Sequence, residues 1–389
     1  MSMFPQDRPA WTVAAIGVLA LLLCVVFGWG DPAQAWLGYL AAYLFWLGLA
    51  LGALALAMIH ALTGGAWGVL LRPQLVAAMR TLPLLALALL PLLFGAASLF
   101  PWLRAGALDD AQFARQAWYL NEPFLLARAV VFMVLWLLLA LAMVRRLDRA
   151  VASESAAPPN DARPPGSALA IVGLVIYAPS ASLFGVDWVM ALQPRWHSSV
   201  FGLAFISLQL LGAFACAVWF ALGPAGRDRL ALDRPEREAS ARLGDLGTLL
   251  MVLLLACAYL VFMDYLTAWT GNLPSETVWY VPRTLTSWKW LAAWVIAFGL
   301  VLPFALLLSR RVKRSITGLR RVATLLLVAE LVFVLWLVLP SLRSAGLWLN
   351  AVDVLAFIGL GALWWTVFAA ALRVPAHRQG RQRFSASST

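Results

Sequence analysis

Long apolar segments separated by short polar stretches form the dominant pattern of this chain. Each segment is close to the roughly 20 residues that an α-helix needs to cross a bilayer. The segments lie at about 11–29, 36–62, 82–100, 123–144, 168–186, 199–222, 246–268, 288–309, 322–340 and 348–372. The pattern predicts an all-α integral membrane protein with about ten transmembrane helices, in one polytopic domain over residues 1–389.

The first segment has an alternative interpretation as a signal peptide. Ala33-Gln34-Ala35 has the small-x-small form of a cleavage site. However, only one basic residue, Arg8, precedes the segment, and the apolar run is long for a signal peptide. We therefore favour a retained helix, although the distribution of charge is the same with or without it.

Composition excludes a soluble protein, and the placement of charge excludes nucleic-acid binding. The chain is 63% hydrophobic and 12% charged, whereas soluble domains are about 45–50% apolar and about 25% charged. Of the 29 lysines and arginines, 22 fall in the termini and in alternate connections that share one side of the membrane. Basic residues mark the cytoplasmic side, so both termini, the loops 145–166 and 223–245, and the tail 373–389 are predicted to be cytoplasmic. The basic excess then indicates contact with anionic lipid.

A weak internal repeat divides the spans into two sets of four. In each set the second and third spans flank an outer loop with a glutamate followed by a cation, which predicts structural ion pairs of Glu122 with Arg128 and of Glu276 with Lys289. Such parallel repeats are common in membrane proteins. We therefore expect two four-helix bundles, formed by the second to fifth and by the sixth to ninth spans.

Four titratable residues interrupt the apolar spans and are candidates for a proton path. Glu330 lies at the middle of its span, where a carboxyl must be protonated or paired. Asp264 and Asp353 lie towards the predicted outer ends of their spans, and His60 lies towards an inner end. The competing interpretation is that Glu330 only hydrogen-bonds a neighbouring helix and that His60 is an interfacial anchor; the relay is favoured for Glu330.

The connection between the fifth and sixth spans is unusually rich in polar and aromatic groups. Residues 187–202 read DWVMALQPRWHSSVFG, and we call this segment the outer cap. The alternatives are an ordinary polar loop and a structured cap, and the lack of Gly/Ser linker character favours the cap. The spacing of Trp188 and Trp196 predicts anchoring at the lipid headgroups.

The outer cap resembles a signature of the membrane subunits of bacterial alternative complex III, a quinol:cytochrome c oxidoreductase in the polysulfide-reductase-like (NrfD-like) group. Phe45–Gly68 (FWLGLALGALALAMIHALTGGAWG) and Tyr119–Arg128 (YLNEPFLLAR) agree with it. Together the three stretches are similar to the smaller paired membrane subunit, the F subunit. One departure is Arg195, which stands where a histidine usually follows the proline, and His197 lies two places further on.

The similarity covers about residues 36–372. It implies the same plan of two four-helix bundles, with the first and last helices added at the edges, and a role in respiratory electron transport. The implied setting is the bacterial cytoplasmic membrane, beside a paralogous membrane subunit, an iron–sulfur subunit and c-type cytochrome subunits, with a terminal oxidase as a further candidate partner. Haem c and iron–sulfur clusters would belong to those partners, and quinol is the candidate ligand. The candidates for a quinone-like site are the outer-cap residues Asp187, Trp188, Arg195, Trp196, His197 and Ser198.

The residue inventory predicts no cofactor or metal bound by this chain itself. Bis-histidine haem needs two histidines in membrane spans, and of the three histidines only His60 lies in one. The three cysteines lie in apolar spans without CxxC spacing, as expected for small core residues. The leading hypothesis is therefore a cofactor-free subunit of a quinol-oxidising complex, and the alternatives are a secondary transporter and a structural scaffold.

Overall fold

The computed structural model describes residues 10–104, 115–154, 167–224 and 236–373. Within these residues the regular structure is helical throughout, and ten helical segments are long and apolar enough to cross a membrane. This confirms the predicted fold class. The main helices are α1 Ala10–Gly28, α2 Pro32–Thr63, α3 Ala66–Met79, α4 Leu82–Leu99, α5 Glu122–Glu154, α6 Ser167–Trp188, α7 Phe201–Ala221, α8 Glu236–Gly271, α9 Pro274–Leu285, α10 Trp288–Leu308, α11 Ile316–Val338 and α12 Ala351–Arg373.

The spanning helices pack as two four-helix bundles with an added pair at the edge. The first bundle consists of α2, α4, α5 and α6, and the second consists of α7, α8, α10 and α11. The bundles meet mainly where α2 packs against α7, while α1 and α12 pair with each other and α12 lies against α2. The short helix α3 packs against α2 and α7.

Helix α2 is the centre of the molecule because its sequence is apolar on every side. Almost all of its residues between Leu37 and Ala61 are buried, as expected of a helix without a polar face. At Gly52 the backbone of α7 approaches so closely that a Cβ atom would collide with the carbonyl oxygen of Gln209. Small residues commonly allow this kind of approach between membrane helices.

Two helices are longer than their apolar segments. Helix α5 continues to Glu154 and α8 begins at Glu236, so each extends into a segment predicted as a loop (145–166 and 223–245). The extensions are rich in charged residues. The helices can continue through them because a helix satisfies its own backbone hydrogen-bonding groups in water as well as in lipid. The remainder of the first predicted loop from residue 155 to 166, residues 225–235 of the second loop and the tail after residue 373 lie outside the described residues.

The outer cap folds back onto the helix ends, which differs from the predicted headgroup anchoring. Trp188 and Trp196 are 0% and 1% exposed. The ring of Trp196 stacks on Trp279 of α9, with 4.5 Å between centroids and 17° between planes, and Trp102 Nε1 donates to the carbonyl of Ala191 at 3.1 Å. The cap is therefore ordered, but its tryptophans are core residues. We call the end of the molecule that carries it the cap end.

Candidate functional site

A cavity of about 550 Å³ lies inside the second bundle, lined by α7, α8, α9, α10 and α11. Its lining runs from Leu254 to Tyr265 on α8 and from Leu326 to Leu337 on α11, which is ~16 Å at ~1.5 Å per residue. Most of the lining is apolar. Eight aromatic side chains contribute to it: Phe201, Phe205, Phe262, Tyr265, Trp279, Tyr280, Phe333 and Trp336.

Glu330 of α11 is the carboxyl group at the middle of this cavity. Its side chain is 4% exposed, and it has space only because Gly212 of α7 has no Cβ, which would collide with the carboxyl group. The Oε2 atom is buried and has no hydrogen-bond partner within the described part of the chain. A buried polar atom of this kind is rare and calls for an explanation, such as an ordered water or a proton-transfer role.

Asp264 of α8 is the second carboxyl group, at the cap end of the same cavity. It accepts hydrogen bonds from the hydroxyls of Ser198, in the outer cap, and Tyr280 of α9, the latter at 2.6 Å. Burial, and secondarily the charge of Asp264, raises the pKa of Tyr280. The phenol is therefore protonated around neutral pH and donates to the carboxylate.

A buried arginine of α9, Arg283, lies beside the cap end of the cavity and has no carboxylate partner among the described residues. Arg283 is 0% exposed and lies over the ring of Trp279, 3.6 Å from the centroid. It donates to the carbonyls of Trp279 and Leu337, both at 2.7 Å, and to that of Trp336 at 3.3 Å. Its donors are thus used to tie α9 to the end of α11.

The first bundle contains a buried ion pair that corrects one prediction. Arg128 of α5 binds Asp187 of α6 through two nitrogens, at 2.8 and 2.9 Å, and donates to the Tyr119 carbonyl with the third at 3.2 Å. The Tyr119 hydroxyl donates to the same carboxylate at 2.9 Å. The predicted partner, Glu122, is on the same helix as Arg128. Arg128 instead points into the bundle and pairs with Asp187, because a buried charge without a counter-charge is strongly destabilising.

The second predicted ion pair is likewise absent from the described residues. Lys289 lies beside the ring of Trp290, 5.5 Å from its centroid, and Glu276 approaches the backbone of Gly271. Lys289 belongs to the turn that starts α10, while Glu276 is in the first turn of α9. The bend between the two helices directs the side chains to different neighbours.

The predicted proton path is only half assembled, since His60 and Asp353 lie away from the cavity. Asp353 is paired with Arg343 at 2.6 and 3.0 Å, with both side chains almost fully buried. His60 Nε2 lies 3.0 Å from the Gly65 carbonyl, in the hairpin between α2 and α3. Of the four candidates, Glu330 and Asp264 are the two that line the cavity.

The outer-cap candidates also separate into groups. Asp187 and Trp188 belong to the first bundle, whereas Trp196 and Ser198 contact the residues around the cavity. Arg195 and His197 are exposed, and His197 Nε2 lies 3.0 Å from the side-chain amide nitrogen of Gln116. Sequence reasoning missed Tyr280 and Gly212, although the amphipathic pattern of residues 274–285 could have indicated a helix on the bundle.

Comparisons with protein-family models and with curated proteins give no match for this chain. Within the described residues no group of three or more His, Cys, Asp and Glu side chains could hold a metal ion. The resemblance described above therefore stays a prediction from the quoted motifs. The geometry of the cavity is the main guide to function.

Proposed function

We propose that this chain is a cofactor-free membrane subunit of a respiratory quinol:cytochrome c oxidoreductase of the alternative complex III type, and that its second bundle conducts protons. The observation that carries the proton path is the shared cavity: Glu330 and Asp264 both line it, at different depths. The resemblance of the outer cap supports the type of complex. Electrons would pass through partner subunits that hold haem c and iron–sulfur clusters.

The two carboxyl groups have the complementary surroundings that a relay needs. Within the described residues no ion pair involves Glu330, and its Oε2 atom has no hydrogen-bond partner. Asp264, in contrast, accepts hydrogen bonds from two hydroxyl groups. Water in the cavity would connect the acid to the carboxylate, and the predicted orientation places Asp264 towards the periplasm.

Conversion of Glu330 to Gln in the assembled complex tests this proposal. Glu330→Gln keeps the size and hydrogen-bonding capacity of the side chain but removes the exchangeable proton. We expect proton movement coupled to quinol oxidation in reconstituted vesicles to fall by about tenfold or more, with normal abundance of the complex. Glu330→Asp should restore part of the activity.

The control is Asp245→Asn, which removes an exposed carboxyl group from α8 outside the cavity and should leave proton coupling unchanged. Unchanged proton coupling in Glu330→Gln would contradict the relay and leave the scaffold hypothesis. Mass spectrometry of the complex purified in mild detergent tests the partners. A chain that purifies alone as an oligomer would favour the secondary transporter.

A further inference from the structure

We propose that the second bundle binds an anionic phospholipid with two phosphate groups, of the cardiolipin class, at the end opposite the cap. The site lies where the chain passes from α10 to α11, over residues 309–315, and we call this segment the basic turn. The general excess of basic residues indicates contact with anionic lipid, whereas this inference assigns one lipid to one place. It does not depend on the proposed proton path or on the type of complex.

The first argument is the charge of the basic turn. Four cations lie within five residues of it: Arg310, Arg311, Lys313 and Arg314. Within the described part of the chain none of these side chains forms an ion pair. Clusters of cations directly beside a membrane span attract anionic lipid, and basic sites between spans bind the headgroup of cardiolipin. Two phosphate groups balance more of this charge than the single phosphate of an ordinary anionic lipid.

The second argument is the close contact of the basic turn with α8. A Cβ atom at Gly247 would lie 2.7 Å from Cγ of Lys313, so the stem of this lysine lies directly on the α8 backbone. Gly244, three residues earlier, faces Arg314, whose Nε would lie 4.0 Å from a Cβ atom there. Long basic side chains can pack their stems in this way while the charged group stays in water. Two of the four cations are therefore positioned together against α8.

The third argument is the apolar surface next to the basic turn. Leu308, the last residue of α10, is 60% exposed, and Val252 and Leu255 of α8 are 53% and 42% exposed. Val252 lies five residues beyond Gly247 on α8, which is ~7.5 Å deeper in the span at ~1.5 Å per residue. Both helices are candidate membrane spans, so these side chains face acyl chains. A lipid placed here binds the cations with its phosphates and packs its acyl chains along α8 and α10.

Native mass spectrometry of the delipidated full chain in detergent tests the site. The chain is titrated with cardiolipin and, separately, with phosphatidylglycerol that has the same acyl chains but one phosphate. We expect one cardiolipin to bind at saturation, about tenfold more tightly than phosphatidylglycerol. Equal affinity for the two lipids would overturn the assignment of a two-phosphate headgroup. Displacement of cardiolipin by inorganic phosphate at an equal concentration of phosphate would overturn a lipid site.

Matched double variants locate the site. Arg310→Gln with Arg311→Gln removes two exposed cations from the basic turn and should weaken cardiolipin binding by about tenfold. The control is Arg145→Gln with Arg146→Gln, which removes two exposed cations from α5, on the same predicted side of the membrane. The control should leave the affinity unchanged. Equal weakening by the two double variants would show attraction by net charge alone and contradict the site.

A variant that keeps every charge tests the seat of Lys313 on α8. Gly247→Ala places a methyl group where the lysine stem lies, so we expect cardiolipin binding to weaken by about threefold. Gly244→Ala should leave the affinity unchanged, because its methyl group would make only an ordinary contact with Arg314. Equal affinities in the two alanine variants would contradict the seat.

Discussion

The buried carboxylates of this protein fall into two kinds that differ in their partners. Asp187 and Asp353 are held by arginines at hydrogen-bonding distance, whereas Asp264 is held by hydroxyls and Glu330 by no described side chain. A cation cancels much of the cost of burying a carboxylate, and the pair then acts as a fixed clamp. The two carboxyl groups without a cation among the described residues are those that the proposed proton relay uses.

The ion pair of Arg128 and Asp187 should stabilise the first bundle strongly. Asp187→Asn leaves a buried guanidinium without its counter-charge, so we expect the free energy of unfolding to fall by about 3–5 kcal/mol. The control is Asp148→Asn, which breaks the ion pair of Asp148 with Arg80. These side chains are 41% and 31% exposed, respectively, so the free energy of unfolding should fall by less than about 1 kcal/mol. Reversible unfolding in detergent measures the stability of both variants. Equal losses of stability would show that the buried ion pair is no more stabilising than the exposed one.

Tyr280 should give the contact with Asp264 a characteristic pH dependence. Because burial raises the pKa of Tyr280 above the ordinary value of 10.0, its contribution to stability is complete below that pH and decreases as the pH rises above it. The free energy of unfolding of wild type should therefore exceed that of Tyr280→Phe by about 1–3 kcal/mol near neutral pH. That difference should shrink above about pH 10, the ordinary value.

Unfolding at a series of pH values checks this expectation. The control is Tyr259→Phe, since Tyr259 is 58% exposed on α8 and should show little difference at any pH. A constant difference between wild type and Tyr280→Phe through the alkaline range would contradict the assignment of the phenol as donor.

At the scale of elements, glycines determine how closely the helices of the two bundles approach. Gly52 allows α2 to contact the backbone of α7, and Gly212 allows α7 to contact the carboxyl group on α11. A long helix overlaps each of the ten predicted spans because each span is a continuous apolar run, although α5 and α8 extend well beyond theirs. Helix α9 was not predicted, because it is a short amphipathic segment without a spanning apolar run.

Gly212→Ala should therefore displace Glu330 and loosen the contact between α7 and α11. We expect the free energy of unfolding to fall by about 1–3 kcal/mol because of overpacking, and we expect proton coupling to be reduced. The double variant Gly212→Ala with Glu330→Asp should recover stability, since the shorter side chain frees space for the new methyl group.

Gly244→Ala in α8 is the control for helix propensity. A Cβ at Gly244 would make only an ordinary contact, 3.9 Å from Arg314, so alanine should be neutral or stabilising by up to about 1 kcal/mol. If Gly212→Ala is as well tolerated as Gly244→Ala, the close approach to Glu330 does not constrain the site.

At the scale of the whole molecule, the ten candidate spans and the distribution of basic residues together predict the orientation. Reporter fusions after Ser155 and after Ala376 should both score as cytoplasmic, and a fusion after Gly106 should score as periplasmic. The outer cap and the Asp264 end of the cavity would then face the periplasm. A periplasmic C-terminus would contradict both the number of spans and the charge argument.

The amino-acid sequence alone is enough to predict the all-α membrane class, the approximate positions of the spans and the isolated carboxyl groups within them. These properties are local, since hydrophobicity over about 20 residues is enough to specify a span. Which polar groups meet depends on the packing of the helices. Arg128 lies beside Asp187, Arg343 beside Asp353, and Glu330 shares its cavity with Asp264. The physical reason is that an almost uniformly apolar helix has little pattern to fix its rotation about its axis, so the direction of each side chain is set by close packing of small residues against neighbouring helices.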